Sequence, residues 1–408
     1  MNEAVYAVRL HGEHVGAIHR RDEFTKFIFD RDYWDRPGRM VLGRWFEDHP
    51  RKRPHAVHAV PPWFSNLLPE GRLRELIAAE VGVTVRREMD LLARIGHDLP
   101  GAVTVHHDAG GTVALELTDN DAASVAGAAV VPGALRFSLA GMALKFSMRE
   151  TGDRLAVPAH DQDGDWIVKT PDLSYPELPA NELAVMELAR TVGIEVPDTR
   201  LRARDEIDGL GPGAWPSEER VAYCVRRFDR SAGGRVHIED FAQVLGRAGA
   251  GQNKYCSNVQ TVAGLAYRGG DRDSLREMVR RTVFNLLVGN GDAHLKNWSL
   301  IYPDGRRPRL SPAYDLVCTA VYPNQAEMSL PFFGATRVED IGREHFLRIR
   351  DLLHLPGDDV VDVVDETVES FMQAWTEGAS ERMPNAVADW IGEHHEATAR
   401  RLTARQGG

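Results

Sequence analysis

The chain has 408 residues, 43% of them apolar and 27% charged, with a formal net charge of −11. That length suffices for two or three packed units with ordinary cores, and the acidic balance argues against general adhesion to nucleic acid or anionic membrane through the whole surface. No apolar run approaches the roughly 20 residues that span a bilayer, the start lacks a leader pattern, and Cys224, Cys256 and Cys318 are too scattered for a disulfide framework or zinc knuckle, so the expectation is a globular cytoplasmic protein with buried or inert thiols.

Residues 4–30 alternate apolar and polar positions around a Gly-containing turn, which predicts an antiparallel hairpin and a third strand. "GRLRELIAAEVGV" and "RREMDLLARIG" carry apolar residues at helical spacing, so residues 1–105 are expected to form a compact α+β unit. Residues 106–133, rich in Gly, Ala, Asp and Thr, read as a variable linker. Between 134 and 228, "ALRFSLAGMALKFSMRE" predicts two strands bent at Gly141, and "DWIVKTP" another strand ended by Pro171. "NELAVMELARTVGI" follows as a helix with Asn181 as N-cap and Gly193 as its stop. Residues 229–408 are mainly helical. In "DSLREMVRRTVFNLLVGN", Leu275, Val279, Val283 and Leu287 recur four apart, Met278 and Leu286 widen the stripe, and Gly289 ends it; two more helices follow near 359 and 385.

That stop delivers "GNGDAHLKNWSLIYPDGRRPRLSPAYDLV", residues 289–317. Asp292 lies in a tight loop, Asn297 follows five residues on, and a Pro-Asp-Gly turn at 303–305 folds the chain back so that the return arm ends in Asp315. Two carboxylates and an amide at one end of a hairpin make a hard-oxygen set, suited to Mg²⁺ completed by phosphate and water, with Asn297 and Asp315 as ligands and Asp292 left as a base. In protein-kinase-like phosphoryl transfer the same order serves those roles. An Asx-turn in which Asp292 and Asn297 merely cap a loop is the alternative for that pair alone. Lys169 ends an apolar strand and could contact nucleotide phosphates, or simply reach solvent; Glu182 could pair with it, or sit in the first turn of a helix for the dipole. No G-x-x-x-x-G-K-[ST] occurs, which disfavours a P-loop NTPase. The pairs His106-His107 and His394-His395 lack metal-ligand spacing and are expected at the surface.

"GNGDAHLKNWSL", "SPAYDL", "RRFDR" at 226–230, "SLAG" at 138–141, "WIVKTP", "PANE" at 179–182 and "WFSNLLPEG" at 63–71 together resemble the HipA-type serine/threonine kinases, toxin halves of bacterial toxin–antitoxin pairs, over nearly the whole chain. The resemblance implies an α+β, protein-kinase-like bilobal fold with a small N-terminal α+β subdomain and a mainly helical C-terminal lobe. It implies ATP and Mg²⁺ as cofactors, Asp292 as catalytic base, and Asn297 and Asp315 as magnesium ligands. Ala140, Gly141, Met142, Ala143, Leu144 and Lys145 match the loop over the ATP phosphates, although Ala143 stands where family loops often carry Gln. Lys169, His294 and Lys296 match further nucleotide-contacting positions, and Arg226, Arg227 and Phe228 the segment behind the adenine. Ser138 aligns with the serine that family members autophosphorylate; a phosphate there would repel those of ATP. The implied partners are a HipB-type helix-turn-helix antitoxin, operator DNA indirectly through that antitoxin, and a protein substrate such as an aminoacyl-tRNA synthetase, with no membrane.

Two other readings stay open. A small-molecule kinase of the aminoglycoside or choline type uses a similar Asp-x₄-Asn loop, against which the N-terminal unit and "RRFDR" weigh. A non-catalytic subunit bridging antitoxin and DNA would have no need of Asp292, Asn297, Asp315 and Lys169 together.

Overall fold

The computed structural model of the chain describes residues 3–112, 144–158, 162–211, 213–249, 251–357 and 359–404. Strands β1 (Glu3–Leu10), β2 (Glu13–Arg21), β3 (Phe24–Phe29), β4 (His55–Val57) and β5 (Val103–His107) form one antiparallel sheet in the order β4-β3-β2-β1-β5. The expected hairpin is β1–β2, turned at His11 and Gly12. Val8, Leu10, Val15, Ile18 and Phe27 from these strands meet Phe46, Trp63 and Phe64 in a first core, covered by the expected helices Gly71–Val81 and Glu88–Ile95. The sheet closes at His107, two residues past the expected end of this unit; both His106 and His107 are exposed.

A second sheet runs β10-β7-β6-β8-β11-β9, with β6 (Lys145–Thr151), β7 (Arg154–Ala156), β8 (Trp166–Lys169), β9 (Thr199–Ala203), β10 (Ile207–Asp208) and β11 (Val221–Arg226). The bend expected at Gly141 lies outside the described residues. The helix Leu178–Thr191 packs Val185, Met186 and Ala189 against this sheet and into the largest core, which continues through Arg272–Val288, Asp359–Thr376 and Asn385–Thr403. That helix begins three residues before the expected N-cap: Pro179 in its first turn has the φ a helix start needs. Asn181 is therefore an interior residue, and Glu182 lies beyond the first turn, so neither capping nor the dipole accounts for it. His395 also departs from expectation. It is buried, 5% exposed, with its ring against Trp375 at 5.0 Å and Nδ1 on the Ile391 carbonyl, while His394 is exposed. Cys224 and Cys318 are buried and their thiols pushed up to about 12 by burial, whereas Cys256 is exposed; all three are free.

The first unit joins the rest through polar groups buried at the contact. Strands β12 (Arg230–Ser231) and β13 (Gly234–Arg235) precede a small sheet of β14 (His237–Asp240), β15 (Ser299–Tyr302) and β16 (Arg309–Leu310). Glu239 on β14 is fully buried and accepts from Trp63 Nε1 at 3.0 Å, from the Arg44 N–H at 2.8 Å and from the Tyr302 hydroxyl. Around the 97–101 turn, Arg227 and Arg230 share Asp98 and Asp229, and Asp229 also accepts from the Gly101 N–H at 2.7 Å. A buried acceptor that loses its donor costs about 1–3 kcal/mol, so this seam is specific as well as adhesive. Glu239→Gln turns an acceptor into a donor facing Trp63 or Arg44 and should lower the unfolding free energy in urea by about 1–3 kcal/mol. Burial raises the Glu239 carboxyl from 4.5 to about 7, so its contribution is fully present below pH 4.5 and is lost as pH rises through 7. The gap between wild type and variant should narrow across that window.

Candidate active site

The helix Arg272–Val288 opens on Asp271, whose side chain accepts from the Ser274 N–H at 2.9 Å, and closes on Gly289 in the left-handed region at φ 67°. A side chain at Gly289 would collide with the Trp390 ring from the last helix, so both backbone angle and space demand glycine. Asn290 then bonds Asn285 at 3.0 Å and accepts from the Asp292 N–H at 3.2 Å. At Gly291 a Cβ would lie 2.5 Å from the Glu327 carbonyl; its N–H donates to Thr319 Oγ1 at 2.8 Å. These contacts leave Asp292 only 6% exposed, with the Ser329 hydroxyl donating to its Oδ1 at 3.1 Å. Asn297 Nδ2 donates to the Asp292 carbonyl at 2.9 Å, which fixes the loop and, among the described residues, leaves Asn297 Oδ1 without a donor.

The predicted hairpin forms as β15 and β16, with Leu300 opposite Leu310. Its return arm is tied to the loop by Tyr314, whose hydroxyl donates to the Lys296 carbonyl at 2.8 Å and meets Ser299 Oγ at 2.5 Å. Asp315 follows at φ 56°, a left-handed conformation that Asp tolerates better than most residues. Across β6 and β8, Lys145 pairs directly with Lys169. Like charges opposite each other on a sheet repel, and the arrangement holds because a carboxylate lies between them: Asp315 contacts the Lys169 ammonium through Oδ1 and Lys145 through Oδ2 at 3.1 Å. Glu182 contacts Lys169 from the other side. Burial would lower the Lys169 pKa, but Asp315 and Glu182 drive it above its usual value, and burial is likewise outweighed at Asp315, which the two lysines hold far below the usual carboxylate range. Lys169 is thus buried, 7% exposed, rather than a strand-end lysine in solvent.

Asn297 and Asp315 line one small cavity together with Asn285, Asn290 and Tyr314. The lining residues bring hard oxygen donors, with Asn297 Oδ1 unspent and both Asp315 oxygens held by the two lysines, a set that fits a divalent cation of the Mg²⁺ class once an ammonium gives way. Of the other sequence-predicted positions, Ser138, Ala140, Gly141, Met142 and Ala143 lie outside the described residues. Leu144 is buried, and Phe228 sets its ring 5.6 Å from Tyr314 beside this cavity. Arg226 is exposed near Asp198 at 3.8 Å. Arg227 does not reach the cleft: its guanidinium is spent on Asp98, Asp229, Ser147 and the Leu99 carbonyl, and its N–H on the Asp165 carbonyl. Lys296 likewise turns to the N-terminal unit, where Glu70 and the Asn66 carbonyl take its ammonium at 2.8 and 3.2 Å. His294 is 3% exposed, lies 5.4 Å from the Tyr255 ring and, among the described residues, has no hydrogen-bond partner on either ring nitrogen; burial lowers its pKa to about 3.

Several contributors escaped sequence reading. Asn181, quoted within "PANE", accepts from the Cys318 N–H and donates to the Cys318 carbonyl, both at 3.0 Å, so the helix after β8 grips the segment after Asp315. Ser329 and Thr319 come from beyond the hairpin and carry no local signal. Replacing Asn181 with Leu strands two buried backbone groups, at about 1–3 kcal/mol each. The Asn181→Leu variant should melt earlier and exchange the Cys318 amide faster, with the exchange of β1–β5 unchanged.

Residues 6–106 match the HipA N-terminal domain family and residues 137–375 the HipA-like C-terminal domain family. The chain is 40% identical over 406 residues to Y4dM of Sinorhizobium fredii, which bears a provisional kinase name, with 96% of each chain covered. It is 28% identical over 296 residues to the serine/threonine-protein kinase toxin HipA of Shewanella oneidensis, covering 63% of this chain and 62% of that one. Among solved structures, HipA in its complex with HipB and operator DNA from Shewanella oneidensis MR-1 shares the fold, with a TM-score of 0.72 at 21% identity and coverage of 97% and 96%. With both diagnostic domains in order along a kinase-like α+β bilobal fold, the chain belongs to the HipA family of kinases.

Proposed function

We propose that the protein is an ATP- and Mg²⁺-dependent serine/threonine protein kinase of the toxin type. The observation that carries this reading is the convergence of Lys169, Glu182 and Asp315 beside the loop of Asp292 and Asn297. In the transfer, an acceptor hydroxyl oxygen bonds to the γ-phosphorus of ATP, the bond to the bridging oxygen of ADP breaks, and the hydroxyl proton passes to Asp292. Asn297 and Asp315 are the residues that would hold Mg²⁺, which neutralises charge on the phosphate oxygens when bound. Lys145 and Lys169 supply the protein's own cations to those oxygens. The ring of Phe228 lines the adenine side, and residues 140–145 are the stretch that serves the phosphates of ATP. The kinase works in the cytoplasm, phosphorylates a component of translation such as an aminoacyl-tRNA synthetase, and phosphorylates itself at Ser138. Its partner is a HipB-type helix-turn-helix antitoxin, through which it joins operator DNA. The acidic balance of the chain suits a basic repressor.

Transfer of label from γ-labelled ATP into protein tests the reading. Wild type should label itself, and Asp292→Asn should lower the rate by about 10²- to 10⁴-fold while still binding nucleotide. Asp315→Asn should lose the magnesium dependence of nucleotide binding. Label appearing only in a sugar or amino alcohol, or equal labelling by wild type and Asp292→Asn, would overturn it.

A further inference from the structure

The N-terminal unit reaches the loop of Asp292 and Asn297 at Lys296. Glu70 stands at the start of the helix Gly71–Val81, in the "PEG" that ends the 63–71 segment. Its Oε1 lies 2.8 Å from Lys296 Nζ and its Oε2 2.5 Å from Lys254 Nζ. Lys254 is 5% exposed and belongs to a short turn, Gly251–Tyr255, whose Tyr255 packs on His294. Burial would raise the Glu70 pKa, but Lys296 and Lys254 hold it at about 2, so the carboxylate stays ionised throughout the physiological range. Asn66 adds its carbonyl to Lys296 and is itself anchored by Nδ2 to the Arg247 carbonyl at 2.6 Å.

Lys296 sits in the single turn Leu295–Asn297, between the carboxylate at 292 and the amide at 297. Its backbone carbonyl is held by Tyr314 from one side, and its ammonium by Glu70 from the other. The turn is pinned at both ends of one residue. We propose that Glu70 is a positioning residue of the phosphotransfer site: its ion pair with Lys296 fixes the turn that aims Asn297, which makes the N-terminal unit a working part of the catalytic loop. This rests on the kinase reading above for its chemistry, but the pinning itself is a property of the loop. Glu70 bridges the two lysines, and the Asp240 carboxylate adds a second negative charge acting on Lys296.

The test compares wild type with Glu70→Gln, which keeps shape and loses charge, and Glu70→Asp, which keeps charge and is one methylene shorter. Expected for Glu70→Gln is a fall in kcat of roughly 10- to 100-fold, the scale on which small misplacements of reacting groups act, with the KM for ATP changed by less than about twofold. Glu70→Asp should recover part of that loss, and carries the test if Glu70→Gln fails to fold. Combining Glu70→Gln with Lys296→Met should add little to the kcat loss of Lys296→Met alone, because the Glu70–Lys296 pair is already gone, while the Lys254 pair that only Glu70→Gln breaks bears on stability. Hydrogen exchange supplies a readout independent of phosphotransfer: amides 292–298 should exchange faster in Glu70→Gln, with β1–β5 unchanged. Unchanged kcat and unchanged exchange would overturn the proposal. So would a lower KM for ATP with kcat retained, since Glu70 would then be competing with phosphates for Lys296. If wild type transfers no phosphate at all, the kinase reading falls while the exchange comparison still decides the role of Glu70.

Discussion

A buried ammonium needs compensation by negative charge close at hand, and at Lys169 that need organises three separate parts of the chain. Strand β8 supplies the cation, the following helix supplies Glu182, and the return arm of the β15–β16 hairpin supplies Asp315. The register of β6 against β8 adds Lys145 beside Lys169, a repulsive pairing that only an interposed carboxylate makes tolerable. The same contacts hold the two lobes at a set separation, because Glu182 and Lys169 belong to the sheet lobe and Asp315 to the helical one. Asn181 reinforces the link one residue before Glu182 by gripping Cys318.

The N-terminal unit is joined by a different principle. Its contact with the helical lobe is made of buried carboxylates, each satisfied by several donors: Glu239 by Trp63, Arg44 and Tyr302, Asp229 by Arg227, Arg230 and Gly101, Glu70 by two lysines. Such groups contribute little net energy when paired and cost much when stranded. They make the orientation of the unit specific rather than merely adherent. Two of these clusters, at Asp229 with Asp98 and at Glu70, meet Arg227 and Lys296 respectively.

The hairpin and its three polar residues were legible because they are local: a glycine stop, a Pro-Asp-Gly turn and the spacing of Asp292, Asn297 and Asp315 all fall within one short stretch. Helices with an apolar stripe and a glycine or a proline at the end were legible for the same reason. Misreadings came where a distant partner decides the outcome. Asn181 looks like a cap because capping is the local use of Asn, yet its amide answers a segment 137 residues away. Arg227 and Lys296 look available to a nucleotide until Asp98 and Glu70 arrive from the other unit, and His395 looks exposed until the Trp375 ring covers it. "WFSNLLPEG" was conspicuous as a pattern, but no spacing tells that its glutamate meets a lysine 184 residues on.

The Trp390 ring resting on Gly289 ties the loop of Asp292 to the helix Asn385–Thr403. A chain is made from its amino end, so the early units can fold while that helix is still unmade. The Trp390 ring reaches Gly289 once Asn385–Thr403 has been made and has docked, beside Ala320, which meets the same glycine. A change that displaces that helix would therefore uncover Gly289 and take one support from the loop of Asp292.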